Sequence, residues 1–238
     1  GPASGRVWCR GGDGGGWWPR TARRGPPGGR ACSSRRGRSW RTELIGFEER
    51  GVLGHPDGSA AGTSPKATVH DRATPLHLAF SCYLFDPEGR VLVTRRAYTK
   101  MTFPGVRTNS CCGHPAPEEG MRFAVLRRLR QELGIVPTAL DLILPTFRYR
   151  ATAIDGTVEN ELCPVYRAMT TDSEVSVDLT EVDDAWWVPW SAFAVEVDRT
   201  DPLSSWGEQQ VEQLNALGPD PFTWATGDPG LLPAAASP

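Results

Sequence analysis

Two short segments carry the side chains of this chain that can do chemistry. The first is Asn109-Ser110-Cys111-Cys112-Gly113-His114-Pro115, and the second is Glu159-Asn160-Glu161-Leu162-Cys163-Pro164. The first puts a thiol and an imidazole two residues apart, at Cys112 and His114. The second puts carboxylates at i and i+2, Glu159 and Glu161, which a β-strand turns to one face. Such a set can hold a metal ion, exchange protons with a substrate, or do both. A thiolate zinc site drawn from Cys111, Cys112, His114 and Cys163 is a rival. It is a weak one, because adjacent side chains diverge and zinc motifs space their cysteines by two or more residues.

Strands and a helix must bring the two segments together. Residues 43–47 read as a first short strand, and the Gly-, Pro- and Asp-rich stretch to Pro65 reads as turns. Residues 76–85 and 90–95 are apolar runs separated by Asp86-Pro87-Glu88-Gly89, and they predict a hairpin. Met121, Val125 and Leu129 recur at i+4, widened by Ala124, Leu126 and Leu133, with Arg122, Arg127 and Arg130 mostly opposite. That periodicity predicts an amphipathic helix over 118–133, stopped by Gly134. Residues 147–152 and 157–168 flank Asp155-Gly156 as a second strand pair, and 184–189 adds a short strand. Ser204 caps a final helix whose apolar face is Val211, Leu214 and Leu217. The expected fold class is α/β of the α+β kind, a sandwich with a mixed sheet, a central helix and a C-terminal helix. One domain is expected over 43–226, between a leader at 1–42 and a flexible tail at 227–238 that frays because Gly, Pro and Ala dominate it.

Composition sets the class. Apolar residues make up 39% and charged ones 23%, as in ordinary water-soluble domains. No apolar run approaches the roughly 18 residues of a membrane span, and no secretory pattern opens the chain. The six cysteines are scattered through a chain too large to need disulfides, so a reducing, cytoplasmic setting is expected. Cys82 reads as a core residue, and Cys9 and Cys32 as incidental. Residues 1–41 hold ten Arg against one acidic residue, Asp13, while the remainder holds 16 basic and 27 acidic residues. The basic stretch has no apolar period and is expected to be disordered. A nucleic-acid arm using Trp8, Trp17, Trp18 and Trp40, a transit peptide, and an upstream extension without function are three readings of it. The third is favoured, so no nucleic-acid partner is expected.

Gly113, Glu119, Arg127, Leu129, Glu132, Gly134 and Ile135 fall at the spacing of a Nudix box, a loop and helix that hold a cation against a diphosphate. The pattern departs at Arg128 and Gln131, where carboxylates are expected. The segments 70–80, 94–96, 103–110, 112–115, 147–151 and 159–164 together resemble the type 1 isopentenyl-diphosphate isomerases, in order, over residues 43–217. They include His70-Asp71-Arg72, Thr94-Arg95-Arg96, Phe103-Pro104-Gly105 and Phe147-Arg148-Tyr149.

The resemblance implies a Nudix-type α/β/α sandwich and a reversible 1,3-allylic shift between isopentenyl and dimethylallyl diphosphate. It implies a divalent site of His70, His77, His114, Glu159 and Glu161, a donor set that suits Mn²⁺, Zn²⁺ or Mg²⁺. Three of the four histidines fall there, and His55 is left over. A second cation, Mg²⁺, accompanies the diphosphate, held by Glu132 and the Cys112 carbonyl. Lys66, Arg96, Lys100 and Arg128 correspond to the diphosphate-binding cations. Cys112 and Glu161 correspond to the acid/base pair, Glu161 with Tyr149 giving one proton and Cys112 taking the other. Trp206 offers an indole face to a carbocation. The implied protein is a monomer whose partner is a small diphosphate, with no membrane involved. Hydrolysis of a diphosphate by a working Nudix site is the alternative, and the missing carboxylates speak against it.

Overall fold

The computed structural model describes residues 49–195 and 200–236. The expected leader at 1–42 and the strand at 43–47 lie outside the described residues. In chain order the strands are β1 (Arg50–Gly54), β2 (Ala60–Pro65), β3 (His77–Leu78), β4 (Phe80–Phe85), β5 (Arg90–Arg96), β6 (Arg107–Thr108) and β7 (Cys111–Gly113). Helix α1 (Met121–Leu133) is followed by β8 (Ala139–Leu144), β9 (Arg148–Thr152), β10 (Val158–Leu162), β11 (Val165–Met169) and β12 (Val182–Pro189). Helices α2 (Trp190–Phe193) and α3 (Ser205–Ala216) come next, then 3-10 turns at Pro221–Thr223, Pro229–Leu231 and Ala234–Ala236.

The strands form two mixed sheets where the sequence suggested one. The first has the order β2-β1-β3-β10-β9. The second has the order β12-β5-β4-β11-β8, with β6 beside β5 and β7 beside β4. The apolar run 76–85 changes sheets at Ala79, and 157–168 changes sheets at Cys163-Pro164. Both crossings run side by side, because β10 pairs parallel with β3 and β11 pairs parallel with β4. Ala79 N–H donates to Leu162 O at 2.9 Å and Ser81 N–H to Pro164 O at 3.1 Å, so the backbone stays satisfied through the bend. Pro164 has no N–H to continue a ladder, which suits it to this corner.

β4 is buried throughout, which is why it shows no polar alternation. Phe80, Cys82 and Leu84 pack on Ala124, Val125 and Leu129 of α1, while Tyr83 and Phe85 pack on Trp190, Phe193 and Leu214. Each fully buried apolar side chain of this size contributes about 1.5–3 kcal/mol. α1 begins later than its periodicity suggests because Glu118 takes a left-handed conformation at φ 66°. Gly134 ends it at φ 70°, its N–H returning to Arg130 O and Leu129 O.

The stretch from Gly227 does not fray within the described residues. Gly227 N–H donates to Leu142 O at 2.8 Å and Ala235 N–H to Gly58 O at 2.8 Å. Ala236 is buried in the core beside α1. Small residues permit this docking: a Cβ at Gly227 would stand 2.7 Å from Pro145 Cδ. β1 and β2, expected as turns, form a hairpin whose second strand is mostly exposed and carries no apolar alternation.

Candidate active site

Three cross-strand partners begin the site. Glu161 of β10 faces His77 of β3 on one side and Tyr149 of β9 on the other. Paired residues share a face, and Glu159 joins them two residues back, opposite the small Ala151. His114 follows β7 and His70 precedes β3. One ligand atom from each of His70, His77, His114, Glu159 and Glu161 lies within 4.8 Å of all the others. Every residue expected at the divalent site is in this cluster, which contains no sulfur. Cys111 packs instead among the core residues beside α1, so the thiolate zinc site does not form.

The donors converge without enough protons between them. His77 Nε2 stands 3.2 Å from His114 Nε2 and 3.6 Å from Glu161 Oε1. His114 Nε2 is 3.2 Å from the same oxygen, and His70 Nε2 is 3.9 Å from Glu159 Oε2. His77 Nδ1 donates to Pro75 O at 2.9 Å, which turns its Nε2 to the cluster. His70 Nε2 is buried with no hydrogen-bond partner. A buried orphan nitrogen among imidazoles and carboxylates is what a divalent cation satisfies, so the residues fit one.

Burial and the carboxylates pull the electrostatics of the cluster in opposite directions. Burial takes the pKa of His70 down to about 4 in spite of Glu159 beside it. His114 is pushed down by burial and then by His77. Burial opposes a charge on His77 too, but the Glu161 carboxylate outweighs it and raises the pKa. Burial alone would raise Glu161; hydrogen bonds from His77, Glu159 and Tyr149 hold it well below the usual carboxylate range. Glu159 is raised by burial and then by the charge of Glu161.

The cluster forms part of the wall of a cavity of about 500 Å³. Cys112, Tyr149 and Trp206 line it with His70, His114, Glu159 and Glu161. Burial pushes the Cys112 thiol up to about 11, against hydrogen bonding from Ser81 and the charge of Arg96. The thiol and the carboxylate are thus shifted in opposite directions, the sulfur toward holding its proton and Glu161 toward losing it. The Tyr149 hydroxyl donates to Glu159 Oε2 at 3.5 Å, within the site. Trp206 meets Phe103 edge-on at 5.1 Å and Tyr149 at 5.6 Å between centroids, and Arg96 Cζ lies 5.9 Å from its ring centre.

Lys66, Arg96, Lys100 and Arg128 all line the same cavity. Lys66 pairs with Glu49 at 3.0 Å, and Arg96 donates to the Thr102 carbonyl at 2.8 Å. Arg128 pairs with Glu132 and, at 3.1 Å, with Glu181, which also pairs with Lys100. Glu132 Oε1 touches Arg128 without an aligned hydrogen bond. Glu132 does not line the cavity but pairs with Arg128 and is not among the five clustered residues. Glu49 and Glu181 were not legible as site residues, since an acid-rich stretch such as 178–184 reads as a solvated surface.

The NUDIX domain family matches residues 75–207. The isopentenyl-diphosphate Delta-isomerase of Saccharopolyspora erythraea is 51% identical over 189 residues, covering 79% of this chain and 97% of that protein. The one from Mycolicibacterium vanbaalenii is 53% identical over 167 residues, covering 70% of this chain and 92% of that protein. This chain belongs to the isopentenyl-diphosphate Delta-isomerase family. The Deinococcus radiodurans protein DR0079, at 17% identity and a TM-score of 0.55, covers 69% of this chain and 98% of that one. That likeness shows a shared fold alone.

In this isomerase-family chain the Nudix box keeps its scaffold. Arg127 grips Glu119 through two bonds of 2.7 Å and reaches the His114 carbonyl at 3.3 Å. The box thus fixes the loop carrying a cluster histidine. Of the box positions, Arg128 turns to the cavity and Gln131 accepts from Arg127 at 3.3 Å.

Proposed function

We propose that this chain interconverts isopentenyl diphosphate and dimethylallyl diphosphate, moving one C=C bond by a 1,3-allylic shift. The observation that carries the reading is the placement of the Cys112 thiol and the Glu161 carboxylate on the wall of one cavity. Lys66, Arg96, Lys100 and Arg128 on the same wall suit a diphosphate, Arg as a fork and Lys as a point charge.

A proton is added to the terminal alkene carbon, which leaves positive charge on the neighbouring tertiary carbon. Loss of a proton from C2 forms the new double bond. Cys112 and Glu161 are the two proton carriers, and reversibility requires each to work in both of its states. Tyr149, cross-strand neighbour of Glu161 and hydrogen-bonded to Glu159, would assist proton delivery from Glu161. The Trp206 ring faces the positive charge and, with Phe103, keeps water away from it. A divalent cation held by His70, His77, His114, Glu159 and Glu161 would fix the Glu161 carboxylate and set its proton affinity. Mn²⁺, Zn²⁺ and Mg²⁺ are the ions this donor set takes. A Mg²⁺ that enters with the diphosphate would meet Cys112 on the cavity wall, while Glu132 is engaged by Arg128 outside the lining.

The substrate is a free small molecule, so the reading calls for no nucleic acid and no membrane, and a cytoplasmic monomer suffices. Among the described residues, no helix is long and apolar enough to cross a membrane, and Cys82, Cys111, Cys112 and Cys163 are free thiols. Hydrolysis is disfavoured, because α1 offers Glu132 beside Arg128 and Gln131 where a hydrolytic site needs several carboxylates. Incubating the protein with Mg²⁺, Mn²⁺ and isopentenyl diphosphate tests the reading. Dimethylallyl diphosphate identified by proton NMR, without phosphate release, supports it; released phosphate without isomerisation overturns it.

A further inference from the structure

The Cys112 sulfur touches a row of buried polar side chains that take no part in lining the cavity. Tyr83 donates its hydroxyl proton to Gln210 Oε1 at 2.9 Å, and Gln210 Nε2 donates to Ser81 Oγ at 2.8 Å. Ser81 Oγ then lies 3.4 Å from Cys112 Sγ, its direct partner across β4 and β7. Ser81, Tyr83 and Gln210 are each 0% exposed, in elements otherwise packed with apolar side chains.

The row runs one way. Gln210 turns its Oε1 to the Tyr83 hydroxyl and its Nε2 to Ser81, an amide oxygen only accepting and an amide nitrogen only donating. The Ser81 oxygen receives that donor, and its single proton is left for sulfur. Two sulfurs are in reach, Cys112 at 3.4 Å and Cys163 at 3.5 Å. The Cys112 proton already has an acceptor, Asn109 Oδ1 at 3.1 Å. Asn109 cannot turn over, because its amide nitrogen donates to Cys82 O and Cys111 O, both at 3.0 Å. Cys112 is therefore held from two sides, giving its proton to Asn109 and standing against the Ser81 hydroxyl.

We infer that Ser81, aimed by Gln210 and Tyr83, is a positioning residue that holds the Cys112 sulfur where it meets the substrate. The inference rests on the isomerase reading above. The row orients and does not conduct: Gln210 accepts at one atom and donates at another, and Tyr83 at its far end reaches no solvent. Gln210 lies one turn after Trp206 on α3, so one helix places both the indole face and the support of the thiol.

Kinetics of Ser81→Ala, Gln210→Leu, their double variant and Tyr83→Phe test this, with thermal melts alongside. Ser81→Ala is expected to lower kcat about five- to tenfold, the worth of one neutral hydrogen bond, with KM for isopentenyl diphosphate within about twofold. Gln210→Leu should lower kcat less, and the double variant should fall no further than Ser81→Ala, because Gln210 acts through Ser81. Tyr83→Phe removes one oxygen and should lower kcat about two- to threefold, so it decides the matter should the larger changes fail to fold. Wild-type kcat in Ser81→Ala and Tyr83→Phe, or losses that multiply in the double variant, would overturn the inference. An inactive wild-type protein would instead refute the isomerase reading, so the two failures are distinct.

Discussion

Glu161 stands directly opposite His77 across the parallel pairing of β3 with β10, and opposite Tyr149 across the pairing of β10 with β9. One carboxylate thus belongs to the five-residue donor cluster and to the wall of the reaction cavity. The two sheet crossings create this: they bring β3 and β10 alongside, while β7, in the other sheet, delivers Cys112. In the proposed reaction, metal binding and proton transfer would be joined at this single side chain.

Loss of either proton carrier should stop the reaction without emptying the cavity of its anion-binding groups. Cys112→Ala and Glu161→Gln are each expected to lower kcat by about a thousandfold or more. Calorimetry with inorganic pyrophosphate should find affinities within a few-fold of wild type. Turnover within tenfold of wild type in either variant would remove that residue from the mechanism.

Chelation should weaken the fold as well as the activity, since the five donors come together only when the chain is folded. An ion at a hundred times its dissociation constant stabilises by about 2.7 kcal/mol, several degrees in Tm for a domain of this size. Scanning calorimetry with EDTA, then with Mn²⁺, Zn²⁺ or Mg²⁺ restored, measures the shift. His77→Ala should show little or none of it, and an unchanged metal-dependent shift in that variant would exclude His77 as a ligand.

Arg128 serves Glu132, Glu181 and the cavity at once, at 8% exposure. Arg128→Ala strands the buried Glu132 and should cost about 3–5 kcal/mol in urea unfolding. KM for isopentenyl diphosphate should rise as well, because a diphosphate-facing cation is lost. Replacing Glu132 with Leu in that background should restore stability but not KM.

Glu181 gives the fold an acid-sensitive contact. Burial would raise its carboxyl, yet Arg128 and Lys100 hold it at about 2 against an ordinary 4.5. A depressed carboxylate stabilises the folded state above its unfolded pKa and loses that contribution as pH falls toward the folded one. Wild type should therefore lose stability between pH 4.5 and 2 relative to Glu181→Gln. The difference should be roughly 2 kcal/mol after solvent screening of the partly exposed pair. Parallel stability curves for the two proteins would show that the ion pair contributes nothing.

Much of the site was legible because its spacing is local. Glu159 and Glu161 at i and i+2 had to share a strand face, and the i+4 repeat of Met121, Val125 and Leu129 had to make a helix. The sheet crossings were hidden, because an apolar run such as 76–85 reads the same whether it stays in one sheet or leaves it. The grip of Glu181 on Lys100 and of Gln210 on Ser81 spans 81 and 129 residues, and neither leaves a periodic mark. The segment 227–236 misled for another reason: Gly and Ala composition resembles disorder, though small residues are also what close packing against β8 and Gly58 requires.

The claim that two separate groups handle the two protons is tested most directly in deuterated water. Metal-loaded protein given isopentenyl diphosphate should yield dimethylallyl diphosphate with one deuterium in a methyl group, and neither Cys112→Ala nor Glu161→Gln should yield it. Unlabelled dimethylallyl product would mean that one group carried the same proton across the molecule, and it would contradict the account.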